Sequence, residues 1–329
     1  MDKPKVVAIG GGSGLATVLR GLKDFPVSLS GIVTMTDNGR SSGQLSRQLG
    51  TLPPGDVRKC LAALASDEQL LTKLFEYRFQ KGFGLSGHSL GNLLLLALAD
   101  ITGDFERAIQ ASSKILSIKG QVIPSTLEHV NLIATLKNGQ QALGEVETAI
   151  QGHRFGIGRV GILPENVAAN PTAVSFIEQA DLIVVGPGSF YTSVVPNLLI
   201  SDIRAAFEGS SAMKIYICNA STERGETENY TVTDHITELQ RYIGTAHFDA
   251  ALVNNRIIAQ SVKEGKLGSV RNISTDEPVI NNVPIVAGDF ISEVDPLYHD
   301  HKKLAKAIWR LFTNVSAHLV SETAPVTAS

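Results

Sequence analysis

Cysteine, net charge and long apolar runs are all scarce in this chain, and each scarcity closes a class of function. Its two cysteines, Cys60 and Cys218, lie far apart in apolar runs and form no Cys-x-x-Cys motif. They read as buried small hydrophobes in a reducing compartment. A formal net charge of −3 gives no general pull toward nucleic acid or an anionic membrane surface. Basic blocks and aromatic–basic interleaving are also missing, which argues against a groove for single-stranded nucleic acid. The longest apolar stretch, Leu93 to Ala99, is far short of the ~20 residues that cross a bilayer. Met1-Asp2-Lys3-Pro4-Lys5 leads straight into a short apolar run, without the apolar centre of a signal peptide. These features predict a cytoplasmic protein with no membrane insertion and no nucleic-acid partner.

What the chain has is a core and a strand–helix alternation. With 329 residues, 43% of them hydrophobic, it can form one large α/β domain over 1–320. Val6-Val7-Ala8-Ile9 reads as a fully buried parallel strand, Leu15 to Leu22 as a helix, and Ser30 to Met35 as a second strand. Strand, helix and strand within about thirty residues make a βαβ unit. Residues 56–117 keep a helical period, and Asn92 to Ile101 is apolar nearly all round, predicting a central, buried helix. His129 to Leu136, Asn138-Gly139 and Gln141 to Ile150 predict an antiparallel hairpin insertion within 125–160. Parallel strands resume at Asp181–Val185, Met213–Cys218, Ala250–Asn254 and Pro284–Ala287, and a helix over about His301–Phe312 closes the fold. The Ser/Thr/Ala/Pro-rich tail 321–329 predicts disorder. The expected architecture is a Rossmann-like three-layer αβα sandwich around a mostly parallel sheet.

Polar loops follow the predicted strands, where open α/β sheets bind ligands. Gly10-Gly11-Gly12-Ser13-Gly14 links a strand to a helix, so its backbone N–H groups can hold an anion. It is neither a dinucleotide fingerprint, since Leu15 or Ala16 stands where the third glycine belongs, nor a P-loop. Thr36-Asp37-Asn38-Gly39-Arg40-Ser41-Ser42-Gly43 ends the second strand. There Asp37 can bond a ribose hydroxyl or hold Mg²⁺, and Arg40, Ser41 and Ser42 can donate to phosphate. Asp56, in Pro53-Pro54-Gly55-Asp56, suits a helix N-cap or a ligand contact, and spacing alone does not pair it with Asp37. Gly87-His88-Ser89-Leu90-Gly91 matches a nucleophile elbow, but a loop precedes it where a buried strand is required. His88, Ser89 and Asn92 are expected to face a ligand or to cap the following helix. Gly186-Pro187-Gly188-Ser189, continuing to Thr192 and Ser193, is a second glycine-and-hydroxyl turn, and Asn219 ends the next strand on the same face. Two such turns predict a ligand with two anionic or sugar ends, clasped across the sheet's switch point.

Taken in order, these six segments resemble the bacterial gluconeogenesis factor family (YvcK-like), a branch of the CofD-like superfamily. The resemblance covers nearly the whole chain. It implies a Rossmann-like fold that binds nucleotide-diphosphate ligands, UDP-sugars such as UDP-N-acetylglucosamine foremost. It also implies a role linking gluconeogenic growth, cell-wall synthesis and cell shape, with no firmly assigned catalysis and no certain cofactor. Relatives in the superfamily are 2-phospho-L-lactate transferases that use a divalent metal, and the matching acidic positions here are Asp37 and Asp56. The loop departs from the pattern at Arg40, where many relatives of this branch carry a small residue. Expected ligand-binding residues are therefore Gly11, Gly12, Ser13, Gly14, Thr36, Asp37, Asn38, Arg40, Ser41, Ser42, His88, Asn92, Gly186, Gly188, Ser189, Thr192 and Asn219. A metal-dependent transferase stands as the alternative, and an NAD(P)-binding oxidoreductase as a lesser one. A homo-oligomer stays open, as do the base and sugar of the ligand and any regulatory protein partner.

Overall fold

The computed structural model describes residues 2–66, 70–258 and 270–322. β1 (Lys5–Gly10), β2 (Ser28–Val33), β3 (Gln121–Pro124), β7 (Leu182–Val185), β8 (Met213–Ile217), β9 (Ala250–Asn254) and β11 (Val283–Gly288) pair in parallel. β10 (Val279–Ile280) adds an antiparallel edge. Among the described residues this sheet runs β10-β11-β9-β8-β7-β1-β2-β3. The chain therefore builds outward one way from β1 and later outward the other way from β7, which places the switch point between these two neighbours.

Both faces of the sheet are covered, which is why its strands read as continuous apolar runs. Val6, Ala8, Leu182 and Val184 point to one core, shared with α1 (Gly12–Leu22), α3 (Gly55–Leu64) and α12 (His301–Glu322). Val7, Ile9, Ile183 and Val185 point to the other. There they meet α8 (Pro171–Glu178), α9 (Val195–Leu199), α10 (Ser201–Gly209) and α11 (Val232–Gln240). This is the expected three-layer α/β architecture. Among the described residues no helix is long and apolar enough to cross a membrane.

Four details differ from the sequence expectations. The insertion is a three-stranded antiparallel sheet, β5-β4-β6, made of β4 (Asn131–Leu136), β5 (Gln141–Leu143) and β6 (Ile157–Leu163). The second hairpin arm stops at Leu143 because Gly144 takes a left-handed turn (φ 85°) and α7 (Glu145–Phe155) begins. A side chain at Gly144 would collide with Asn38. The predicted buried helix, α5 (Leu90–Thr102), packs on α6 (Phe105–Ile115) and leaves Ile101 78% exposed, so it is peripheral. Its all-round apolarity does not translate into all-round burial. The closing helix runs past Phe312 and takes in Ser321 and Glu322; 323–329, the rest of the predicted disordered tail, lies outside the described residues. Two more helices, α2 (Arg40–Leu49) and α4 (Leu70–Glu76), complete the set named here.

Helix α1 carries Gly21 where α12 crosses it, and a Cβ there would overlap the His301 carbonyl oxygen. Overpacking at such a crossing costs about 1–3 kcal/mol. Gly21→Ala should therefore lower the melting temperature by several degrees; an unchanged melting temperature would mean that this contact is loose.

Candidate functional site

The loops leaving the carboxyl ends of β1 and β7 touch. Gly14, in the first turn of α1, lies against the Pro187 carbonyl so closely that any Cβ would collide with it. Gly12 sits at φ 61°, a left-handed conformation that glycine adopts without steric penalty. Gly11 is confined as well: a Cβ there would lie 2.6 Å from Thr34 Cγ2 and 2.7 Å from Asp56 Oδ2.

Asp56 is not the N-cap of α3; Pro54 holds that position, and Asp56 lies in the first turn. Its carboxylate crosses to the glycine turn instead. Oδ2 accepts the Gly12 N–H at 2.7 Å, and Oδ1 accepts from Lys59 Nζ at 2.9 Å. An internal carboxylate thus already sits at the positive end of the α1 helix dipole. Asp37 lies beside it and accepts the Gly39 N–H at 2.9 Å. Burial first, and then the Asp56 charge, push the Asp37 carboxyl up. Glu145, from the start of α7, faces the same space and is pushed well up by burial, Asp37 and Asp56. Burial works against the Lys59 charge, but Asp56 and Asp37 together outweigh it and raise the ammonium.

Two connected cavities result. An acidic one of about 180 Å³ is lined by Gly11, Gly12, Asp37, Asp56, Lys59, Glu145, Thr192 and Ser193. A larger one of about 290 Å³ mixes Asn219, Ser221, Thr222, Glu223 and Arg224 with Val270, Leu297, Tyr298 and His299. Ser13, Gly14, Gly188 and Ser189 line both and form the waist between them. Asn219 Oδ1 accepts the Gly188 N–H at 3.3 Å and so steadies that waist.

The remaining predicted residues stand behind the walls. Thr36 Oγ1 donates to the Thr192 carbonyl at 3.2 Å, tying the second loop to the turn after β7. Asn38 Oδ1 accepts the Val146 N–H at 3.4 Å and so anchors the small sheet's helix. Ser41 Oγ pairs with His88 Nδ1 at 2.9 Å and accepts from Asn92 Nδ2 at 3.2 Å, while Asn92 Oδ1 accepts from Arg58 Nε at 3.1 Å. This buried network braces α2 against α5. Ser42 Oγ accepts the Gly55 N–H at 3.0 Å, and Gly186, left-handed at φ 78°, starts the second turn without lining either cavity. Ser89 caps α5 and is fully buried, which removes the nucleophile-elbow reading. The Arg40 side chain lies outside the described residues.

Sequence reasoning missed Lys59, Glu145 and the loop Thr222–Glu226. Lys59 follows Asp56 by three residues on one helix, a spacing that could have flagged the pair. Glu145 carried no local signal, because only the folded insertion brings it over the cleft. The missed loop holds the second turn. Glu223 Oε1 accepts from Ser189 Oγ at 2.7 Å, and Glu226 accepts from Tyr191 N–H and Thr192 Oγ1, both at 2.8 Å.

Burial and the Glu223 charge push the Glu226 carboxyl up from an ordinary 4.5 to about 8. Folded protein therefore keeps a proton that the unfolded chain releases above about pH 4.5, so this group's contribution to stability declines up to about pH 8 and levels off above. Glu226→Gln, which stays neutral, should gain in melting temperature relative to wild type as pH rises from 5 to 9. Parallel melting curves for the two proteins across that range would assign the proton elsewhere.

Comparison with known proteins agrees with this architecture. Residues 6–291 match the family model described as 2-phospho-L-lactate transferase CofD. A putative gluconeogenesis factor of Nostoc sp. is 52% identical over 254 residues, which span 77% of this chain and 55% of that protein, little more than half its length. The gluconeogenesis factors of Halalkalibacterium halodurans and Bacillus subtilis are 42% and 41% identical, covering 94% and 93% of this chain and 96% and 98% of theirs. A crystal structure of a UPF0052 family protein from Bacillus halodurans superposes with a TM-score of 0.87 at 41% identity, covering 94% of this chain and all of that one. With the family model covering most of its length and these relatives aligning nearly end to end, the chain belongs to the CofD family, alongside the bacterial gluconeogenesis factors.

Proposed function

We propose that the cleft binds a nucleotide diphosphate carrying a sugar, of the UDP-N-acetylglucosamine class, and that the protein is a cytoplasmic regulatory factor. In this reading it couples gluconeogenic carbon flow to cell-wall synthesis and cell shape. One observation carries the ligand class: two cavities of different chemistry meet at a waist formed by Ser13, Gly14, Gly188 and Ser189. The mixed polar and apolar cavity suits a nucleoside, the waist a diphosphate, and the acidic cavity the hydroxyls of a sugar. The regulatory role rests on the gluconeogenesis factors that this chain resembles.

The second reading is a metal-dependent transferase like the family's namesake, and the Asp37–Asp56 pair favours it. Asp37, whose carboxyl burial and the Asp56 charge push up, forms with Asp56 a hard oxygen donor set suited to Mg²⁺. Among the described residues no three His, Cys, Asp or Glu side chains converge on one point. Asp37 and Asp56 would hold Mg²⁺ together with water and ligand phosphate. Bound there, the ion would offset charge on a transferring or leaving phosphate. Lys59 and the turn N–H groups would orient that phosphate.

Calorimetry with UDP-N-acetylglucosamine, NAD and a guanosine diphosphate ester, each with and without Mg²⁺, separates the readings. The regulatory reading expects the UDP-sugar to bind at micromolar concentration and remain intact. Release of GMP only with Mg²⁺, the distal phosphoryl group passing to water or an added hydroxyl acceptor, and lost in Asp37→Asn, would replace it with the transferase reading.

A further inference from the structure

The carboxylate of Glu223 is placed to do more than hold the second turn. Glu223 follows β8 in the segment Thr222-Glu223-Arg224 and lines the larger cavity next to the waist. Oε1 is engaged by the Ser189 hydroxyl at 2.7 Å, and its backbone N–H donates to Thr227 Oγ1 at 3.0 Å. Oε2 has no hydrogen-bond partner among the described residues. The carboxyl is thus held at Oε1 and the backbone at Thr227, and this cavity-lining residue keeps one acceptor oxygen unengaged.

A carboxylate accepts and does not donate, so it repels phosphate and selects a group with hydroxyl donors. Position then narrows the choice. Val270, Leu297 and Tyr298 supply the apolar part of this cavity, whereas Ser13, Gly14, Gly188 and Ser189 form the waist. In a nucleotide the group between base and diphosphate is the ribose, and its 2′ and 3′ hydroxyls are donors. Dinucleotide folds use an acidic residue in this way. Asp37 sits on the far side of the waist, in the acidic cavity, with no part in the larger one.

We propose that Glu223, rather than Asp37, reads the ribose diol of the bound nucleotide and makes the cleft selective for ribonucleotides over deoxyribonucleotides. This assignment rests on the nucleotide reading of the cleft.

The test titrates wild type and Glu223→Gln with UDP, 2′-deoxy-UDP, GDP and 2′-deoxy-GDP by calorimetry. A hydrogen bond to a charged group contributes enough for roughly a 10-fold or greater preference for the ribo form in wild type. Glu223→Gln should shrink that preference below about threefold by weakening the ribonucleotide. Its affinity for the deoxy form should stay within about twofold of wild type, whereas collapse of the turn would weaken both forms equally. A wild type that binds both forms alike, or a variant that keeps the full preference, overturns the assignment while leaving the cleft reading intact. Binding of none of the four ligands at millimolar concentration overturns the cleft reading and the assignment together.

Discussion

Gly14 pressed against the Pro187 carbonyl is the contact on which the rest of the site depends. It joins the loop after β1 to the loop after β7 at the one place where the strand order reverses direction. Because Gly14 has no room for a Cβ, the two turns act as a single rigid waist, with Ser13 and Gly14 on one side and Gly188 and Ser189 on the other. Each turn is then braced by acidic side chains: Asp56 on the Gly12 N–H, Glu223 and Glu226 on the second turn.

That bracing gives the cleft an uncommon electrostatic character. A glycine turn at a helix N-terminus usually attracts anions. Here the cavity beside it holds Asp37, Asp56 and Glu145 against Lys59 alone among its lining cations. An anionic ligand entering this side must be accompanied by a cation or a proton, or must turn its hydroxyls toward the acids. The raised carboxyls of Asp37 and Glu145 express the same tension, since burial and mutual repulsion both favour their neutral forms.

Much of this was legible in the residues. Val6–Ile9 and Leu182–Val185 are short apolar runs ending in glycine turns, which identifies buried parallel strands and the loops where a ligand would sit. Longer-range arrangements were not legible. Asp56 reads in sequence as a helix cap or a ligand contact, because its partner, the Gly12 N–H, is 44 residues away and meets it only after α1 and α3 pack. The second hairpin arm looked like a strand through Ile150 because the close approach of Asn38 that leaves Gly144 no room for a side chain is tertiary. Asn92 to Ile101 looked central because apolarity does not say which faces find partners. His88 and Asn92 read in sequence as facing a ligand or capping the helix, and the structure puts them one layer back, fixing Ser41.

The central claim is that the two turns act as one clasp, and amide hydrogen exchange tests it most directly. On addition of UDP-N-acetylglucosamine, the N–H groups of Ser13, Gly14 and Ser189 should gain protection together, at the same ligand concentration. Protection confined to one turn, or appearing at the two turns with different midpoints, would contradict a single clasp.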